Sequence, residues 1–253
     1  MSEHICLEDL TTTAEALLRR FEQTPPKPSS VILSASEIAA TIDHTLLKAE
    51  ATPAMIDRLC EEGRKYRFAS VCVNSLYVRQ CVRALEGSGI PVCSVVGFPL
   101  GAMETRAKAF EARSAIQDGA REIDMVLPIG LLLSGEYLRV YQDISEVVNE
   151  CHAHGAICKV IIEAALLSDL EKVIACLLLK KAGADFAKTS TGFGPGGATL
   201  HDVSLMRAVV GPDLGVKAAG GIRTYEAALA MVRAGASRIG ASSGVRIVQD
   251  APR

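Results

Sequence analysis

The feature that most constrains the fold is a two-part pattern that recurs from about residue 36 onward. A short apolar, β-rich run is followed each time by an amphipathic stretch bounded by small residues. Each repeat predicts a strand buried on both faces and then a helix with one apolar side. The predicted strands are ATIDHTL, FASVCVN, PVCSVVG, EIDMVLP, AICKVIIE, ADFAKTST, LGVKAAG and SRIGASSG. Eight strand and helix pairs favour a closed (β/α)8 TIM barrel of the α/β class over an open doubly wound sheet.

The length of 253 residues suits one barrel domain. The first 35 residues stand outside the repeat: an amphipathic segment predicts a helix, and TPPKPSS, which cannot continue it, predicts a linker. We therefore predict an N-terminal helical extension and linker over 1–35 and a single TIM-barrel catalytic domain over 36–253.

Composition excludes several classes of partner. A net charge of −2 favours neither nucleic acid nor an anionic membrane surface, and the longest apolar stretch, 173–179, is far too short to span a bilayer. The eight cysteines stand singly, without a C-x-x-C pair, which predicts free thiols in a reducing compartment. The N-terminal segment resembles neither a secretory signal nor a transit peptide. We expect a cytoplasmic protein.

Charged residues interrupt the predicted strands, although a parallel strand buried on both faces should be almost entirely apolar. The interrupting residues that we single out are Asp43, Asp124, Lys159, Lys188 and Lys217. Near the C-terminal strand ends of a barrel, such side chains face the mouth, where active sites are built. Salt bridges that hold the rim loops are the alternative interpretation.

Lys188 and Lys217 lie on consecutive predicted strands, which are about 4.8 Å apart in a sheet. Two ammonium groups so close, and partly desolvated, hinder each other's protonation, which predicts a lowered lysine pKa and a neutral amine able to form a Schiff base. Asp124 and Lys159, on the two preceding strands, would complete a buried charge network.

Small residues follow the last two predicted strands. AAGGIRT brings Gly220 and Gly221, and GASSG brings Ser242 and Ser243. Loops at these positions commonly bind phosphate in barrels, since glycine lets backbone amides approach an anion and serine adds a donor. The alternative is that the glycines serve only turns.

Three other motifs are set aside. TGFGPGG has G-x-G-x-x-G spacing, but the acidic residue expected about 20 positions later is replaced by Lys217 and Ala218. GASSG fits G-x-S-x-G, but no histidine follows His201. His152 and His154 lie two apart near a predicted helix end and do not share a helix face. We predict neither a cofactor nor a metal.

From about residue 36 to 248, the chain resembles the deoxyribose-phosphate aldolase family. The matching segments are IDHTLLKAEAT, FASVCVN, VVGFPLGA, EIDMVLP, CKVIIE, ADFAKTSTGFGP, VKAAGGIRT and RIGASSG. The resemblance implies that Lys188 forms the Schiff base, that Lys217 perturbs it and takes part in proton transfer, and that Asp124 donates and accepts protons. It also implies reversible cleavage of 2-deoxy-D-ribose 5-phosphate to D-glyceraldehyde 3-phosphate and acetaldehyde, in deoxyribonucleotide and carbohydrate catabolism.

Further roles are predicted around these three residues. We expect substrate or proton-relay roles for Asp43, Thr45, Cys72, Lys159 and Thr189. We expect phosphate binding by Gly192, Gly220, Gly221, Gly240, Ser242 and Ser243. The expected partners are phosphosugars and aldehydes, and a homodimer.

One departure from the family and two rival functions remain. Some members carry a lysine directly after T-S-T-G, where this chain has Phe193, which predicts weaker phosphate binding or wider tolerance of unphosphorylated aldehydes. A different phosphosugar barrel, such as an isomerase or a transaldolase-like enzyme, would share the phosphate loops. A regulatory barrel without chemistry would be expected to have lost at least one of Lys188, Lys217 and Asp124.

Overall fold

A computed structural model describes residues 9–252 and contains the predicted closed barrel of eight parallel strands. Each strand pairs with its neighbours in sequence, and the last pairs with the first. The strands are β1 (Ile42–Leu46), β2 (Ser70–Val73), β3 (Val92–Val96), β4 (Glu122–Val126), β5 (Ile157–Ile161), β6 (Phe186–Lys188), β7 (Gly215–Ala219) and β8 (Arg238–Ala241). All eight fall within the predicted runs, so the predicted fold class is confirmed.

Helices surround this sheet. Within residues 9–252 they are α1 (Leu10–Gln23), α2 (Ala35–Ala39), α3 (Pro53–Tyr66), α4 (Val78–Ala84), α5 (Thr105–Gln117), α6 (Ile129–Leu133), α7 (Tyr137–Ala153), α8 (Asp169–Lys181), α9 (Leu200–Val210), α10 (Tyr225–Arg233) and α11 (Gly244–Gln249). Short 3-10 turns cover Ser75–Tyr77 and Ala164–Leu166. None of the helices in this part of the chain is long and apolar enough to cross a bilayer.

Local signals set where helices begin. The Thr52 hydroxyl accepts a hydrogen bond from the backbone N–H of Met55, and Pro53 occupies the first turn of α3. Ser168 and Glu171 form a reciprocal capping box at the start of α8. These caps satisfy N–H groups that a helix leaves unpaired at its N-terminus, so they define where α3 and α8 begin after β1 and β5.

The main apolar core lies between the sheet and the helices and is built from strand residues and from the buried residues of the surrounding helices, of which α8 is buried along 172–179. Inside the barrel, a second apolar cluster is small: Leu47, Cys72, Cys93 and Val95, with Phe98 packed against it. Much of the remaining interior is filled by charged side chains. The barrel therefore differs from one whose interior is filled by layers of aliphatic residues.

The extension packs onto the outside of the barrel. Helix α1 buries Leu10, Ala14 and Phe21 and lies against α8 and α9, where the Phe21 ring meets His201 edge-on. The backbone N–H of Ser29 then donates to the carbonyl of Arg233, which fastens the linker to α10. The domain division at residue 36 remains a prediction. Residues 1–8 of the predicted extension, and position 253 at the end of the predicted barrel domain, lie outside the described residues.

Candidate active site

Strand register brings the two predicted lysines together inside the barrel. Lys188, the last residue of β6, and Lys217, in the middle of β7, are directly paired positions, and Asp124 on β4 is paired with Lys159 on β5. Lys188 Nζ lies 2.8 Å and Lys217 Nζ 2.6 Å from the same oxygen, Oδ2 of Asp124. The two amines therefore share one compartment, with a carboxylate between them.

Further charged groups extend this arrangement below Asp124. Lys159 Nζ lies 2.7 Å from Asp124 Oδ1 and 2.6 Å from Glu122 Oε2. Lys217 Nζ also lies 2.5 Å from Asp43 Oδ2, as a close ion pair without good hydrogen-bond alignment. We call the whole set the charge cluster, and its members are Asp43, Glu122, Asp124, Lys159, Lys188, Lys217 and Arg238.

Arg238 completes the cluster at the start of β8. One guanidinium nitrogen, Nη1, lies 2.6 Å from Asp43 Oδ1 and 3.1 Å from Glu122 Oε2. Burial opposes the charge on Arg238, but the two carboxylates outweigh it and raise its pKa. Burial likewise works against ionisation of Asp43, yet Lys217, Lys159 and Arg238 hold its pKa well below the usual range.

The pKa shifts of two fully buried lysines of the charge cluster, Lys217 and Lys159, correct one expectation from the sequence. Burial alone would lower the pKa of Lys217, but the carboxylates of Asp124 and Asp43 more than offset it, so the pKa is raised. Lys159 follows the same pattern, with burial opposed most strongly by Asp124. The sequence predicted that the two ammonium groups hinder each other's protonation and so lower a lysine pKa. For Lys217 the direction is the opposite, because two carboxylate oxygens lie within 2.6 Å of its ammonium group.

Charge balance within the cluster separates Lys188 from the rest. Apart from Lys188, the cluster contains three cationic and three carboxylate groups. A proton on Lys188 is therefore the unbalanced charge of the cluster. Burying a net charge is unfavourable, and only the neutral form of an amine can form a Schiff base.

A cavity of about 390 Å³ opens above Lys188 at the C-terminal ends of the strands. The predicted site residues that line it are Thr45, Lys188, Gly192, Gly220, Gly221, Gly240 and Ser242. Asp43, Asp124, Lys159 and Lys217 lie beneath it and are fully buried. A larger cavity of about 650 Å³ lies at the opposite end of the barrel and contains none of the predicted residues.

Three glycines shape the cavity. Gly220 and Gly221 have φ values of +89° and +81°, which suit glycine and turn the backbone after β7. At Gly240, an added Cβ would lie 3.1 Å from Lys217 Cε and 2.9 Å from Ala219 Cβ. Gly240 therefore makes room for the extended side chain of Lys217.

Gly240→Ala is expected to displace Lys217 and reduce kcat about tenfold, with a loss of about 1–3 kcal/mol in the free energy of unfolding from overpacking. Steady-state kinetics and thermal melts measure the two effects. Gly130→Ala is the matched control, because nothing lies within 4 Å of a Cβ added there. Equal effects of the two substitutions would show that contact with Lys217 is not the cause.

Three predicted residues lie apart from this cavity. The Thr189 hydroxyl donates to the carbonyl of Ala219 and accepts from its N–H, so it ties β6 to β7. Cys72 is fully buried beside Cys93. Ser243 lines a neighbouring groove on the outer side of the barrel mouth. The roles assigned to these three remain predictions, and their positions argue against direct contact with substrate in the cavity.

Several residues that shape the site were not predicted. Lys48 and Arg223 line the cavity with exposed side chains and offer the cationic groups that an anionic substrate needs. Glu163, at a left-handed φ of +52°, accepts hydrogen bonds from the hydroxyl and N–H of Thr191 and so fixes the loop after β6. Lys48 and Arg223 could have been recognised from the sequence, because they are cationic residues next to strand ends. The contact between Glu163 and Thr191 depends on the folded structure.

Among residues 9–252, one group of side chains could hold a metal by composition alone. Ligand atoms of Cys72, Cys93 and Asp124 lie within 4.8 Å of one another. However, the ammonium of Lys159 lies 3.3 Å from Cys93 Sγ and 2.7 Å from Asp124 Oδ1. An ammonium group therefore already contacts two of the three groups and would repel a metal cation there, so these residues do not fit a metal centre.

Residues 38–250 match the model of a protein family described as DeoC/LacD family aldolase. The chain belongs to this aldolase family. The deoxyribose-phosphate aldolase of Caldanaerobacter subterraneus subsp. tengcongensis is 57% identical over 218 residues, which cover 86% of this chain and 94% of that protein. The family match begins after both α1 and the linker.

Solved structures resemble the chain over a longer span. A Coccidioides immitis protein, provisionally assigned as a deoxyribose-phosphate aldolase, is 42% identical over 98% of both chains with a TM-score of 0.91. The deoxyribose phosphate aldolase of Aeropyrum pernix, described as a unique tetramer, is 32% identical over 97% of both chains with a TM-score of 0.81. These matches include the extension that the family model leaves out.

Proposed function

We propose that this aldolase reversibly cleaves 2-deoxy-D-ribose 5-phosphate to D-glyceraldehyde 3-phosphate and acetaldehyde through an imine on Lys188. The observation that carries the residue assignment is the position of Lys188 at the floor of the mouth cavity, above six charged groups that balance one another. The names of the relatives supply the substrate.

The reaction begins when the neutral amine of Lys188 attacks C1 of the open-chain sugar. Loss of water leaves a protonated imine, which accepts electrons. Removal of the proton from the C3 hydroxyl breaks the C2–C3 bond, and D-glyceraldehyde 3-phosphate leaves. The electron pair of that bond remains on the lysine adduct as an enamine of acetaldehyde. Protonation of the enamine carbon and addition of water then release acetaldehyde and the free amine.

Asp124 and Lys217 are the groups best placed to move protons. Asp124 Oδ2 contacts both amines, so a proton can pass between Lys188 and Lys217 through one carboxylate oxygen. Lys217 is held protonated by Asp124 and Asp43 and can act as a donor. Both groups lie below the cavity floor, and the Lys188 nitrogen is bound to the sugar during cleavage, so the proton of the C3 hydroxyl reaches Asp124 through an intervening water molecule.

The phosphate end of the substrate is assigned to the loops after β7 and β8. Gly220 and Gly221 precede α10, whose N-terminal N–H groups carry partial positive charge, and Ser242 adds a hydroxyl. Arg223 and Lys48 lie at the rim of the same cavity. Phe193 also lines it, with its ring edge-on to Phe98 at 5.3 Å, so this side of the mouth is apolar.

Phe193→Lys is expected to raise kcat/KM for 2-deoxyribose 5-phosphate about fivefold relative to unphosphorylated 2-deoxyribose, because an exposed cation at the rim stabilises a dianion by about 1 kcal/mol. Comparing the two sugars in one coupled assay measures the ratio. Phe193→Leu keeps the rim apolar and serves as control. If Phe193→Lys leaves this ratio unchanged, or if Phe193→Leu changes it equally, the absence of a cation at position 193 does not limit phosphate binding.

Direct assay of sugar cleavage tests the activity as a whole. The purified protein is expected to release acetaldehyde from 2-deoxyribose 5-phosphate, in the presence or absence of a metal chelator. Isomerisation of a phosphosugar without release of acetaldehyde would favour the rival barrel enzyme. Turnover of neither kind would favour a regulatory barrel.

Two broader expectations accompany this function. The residues described include seven cysteines, all free thiols, which agrees with the reducing, cytoplasmic location expected from their spacing. A homodimer remains a prediction, and light scattering of the purified chain measures the mass that would separate it from a tetramer.

A further inference from the structure

Glu122 and Arg238 form a layer of charge at the lower end of the cluster, away from the mouth. Each is the first residue of its strand, and neither lines the mouth cavity. Glu122 lies 2.6 Å from Lys159 and 3.1 Å from Arg238, which in turn contacts Asp43. These contacts link the pair through Asp43 and Lys159 to the carboxylate that both active-site amines share.

A ring at the bottom of the barrel shelters this layer. Arg238 lies over the face of Phe186, 5.4 Å from the ring centroid. A Cβ at Gly215 would lie 2.2 Å from the Phe186 ring, so glycine at this position is what admits the aromatic side chain. Glu122 is 5% exposed, and the Arg238 side chain is 16% exposed. Charges sheltered in this way act over longer distances than charges in water.

We propose that Arg238 and Glu122 are positioning residues that set, by their opposite charges, how much of Lys188 is present as the neutral amine. This inference rests on the proposed imine mechanism. Removing the charge of Arg238 leaves two cations against three carboxylates, so that a proton on Lys188 restores balance. Removing the charge of Glu122 leaves three cations against two carboxylates, so that a proton on Lys188 adds to an existing excess.

Every strand contributes groups to this interior. The titratable and charged side chains that face it, strand by strand, are Asp43, Cys72, Cys93, Glu122 with Asp124, Lys159, Lys188, Lys217 and Arg238, with Lys48 and Arg223 at the exposed rim above. Asp43 retains Lys217 and Lys159 when Arg238 is neutralised, so it stays ionised and does not absorb the change. The loss of the Arg238 charge therefore changes the electrostatic potential at the Lys188 amine.

The test is the pH dependence of imine trapping. Acetaldehyde and borohydride are added to each variant over a range of pH, and the trapped fraction of Lys188 after a fixed short time is read by peptide mass spectrometry. The midpoint pH is expected to rise by about one unit in Arg238→Gln and to fall by about one unit in Glu122→Gln, as Coulomb interaction over several ångströms in a partly screened interior predicts.

Two further variants separate charge from packing. Arg238→Lys keeps the charge and is expected to keep the midpoint within a few tenths of a unit. The double variant Arg238→Gln/Glu122→Gln restores the original difference between cations and anions and is expected to return the midpoint close to the wild-type value. A purely structural role would make the double variant worse than either single variant.

The outcomes of these measurements distinguish a failure of the charge proposal from a failure of the imine mechanism. Opposite shifts in the single variants with recovery in the double variant support the inference. Shifts of the same sign, or unmoved midpoints in variants that still trap acetaldehyde on Lys188, overturn it and leave the imine mechanism intact. Absence of trapping on Lys188 of the wild type at every pH overturns the proposed function itself. If one single variant fails to fold, the sign of the shift in the other decides.

Discussion

Lys188→Leu is expected to abolish cleavage, by roughly four to six orders of magnitude in kcat, while leaving the fold intact. Leucine cannot form an imine, and no other amine described in the structure reaches the floor of the mouth cavity. The six remaining members of the charge cluster are three cations and three carboxylates, so loss of this lysine leaves no buried charge without a partner. The melting temperature should change by a few degrees at most.

Kinetics and a thermal melt of the same preparation measure both halves of this expectation. Lys65→Leu is a useful control, because Lys65 is an exposed lysine of α3 that lies outside both the mouth cavity and the charge cluster. Substantial residual cleavage in Lys188→Leu would contradict the assignment of the nucleophile. A large fall in its melting temperature would contradict the charge count.

Unlike Lys188→Leu, Lys217→Leu is expected to reduce the stability of the fold as well as the rate of cleavage. Lys217 is the cation that Asp43 and Asp124 share, so its removal leaves a buried excess of negative charge. Breaking a buried ion pair in this way typically costs about 3–5 kcal/mol, which in a chain of this size lowers the melting temperature by on the order of 10 °C. Loss of its charge also favours a protonated Lys188, so cleavage should fall by at least about a hundredfold.

Lys108→Leu is the matched control for this substitution. Lys108 is also fully buried and paired with a carboxylate, Asp143, but it lies between α5 and α7, outside the charge cluster. It should lose comparable stability and keep kcat within about tenfold of the wild type. If Lys217→Leu melts like the wild type, the claim that Lys217 balances two buried carboxylates is contradicted. If both variants lose activity in proportion to stability, a specific role for Lys217 in the chemistry is excluded.

The fold could be predicted from the sequence because its signal is repeated. Each strand is buried and rich in apolar residues, and each is followed by an amphipathic stretch, so eight weak signals agree on one closed sheet. The charged residues within strands were informative for the same reason: a charge at such a position needs a partner or a function. Asp124, Lys159, Lys188 and Lys217 indeed converge inside the barrel.

The details that were missed follow from side-chain direction and long-range contact. Successive residues of a strand point to opposite faces, so Thr189 points away from the interior that Lys188 faces. That alternation could have been applied from the sequence. Glu122 and Arg238 also interrupt predicted strands, and the same rule about buried charge applied to them. Their mutual contact joins β4 to β8 across the barrel, and only the closed sheet reveals it.

Reductive trapping tests the central claim most directly. The protein is treated with acetaldehyde and borohydride near neutral pH, digested, and mapped by peptide mass spectrometry, with Lys188→Leu treated in parallel. An ethyl group on Lys188 of the wild type, and no matching modification of Lys217 in either protein, is the predicted result. An ethyl group predominantly on Lys217, or none within the barrel, would contradict the account.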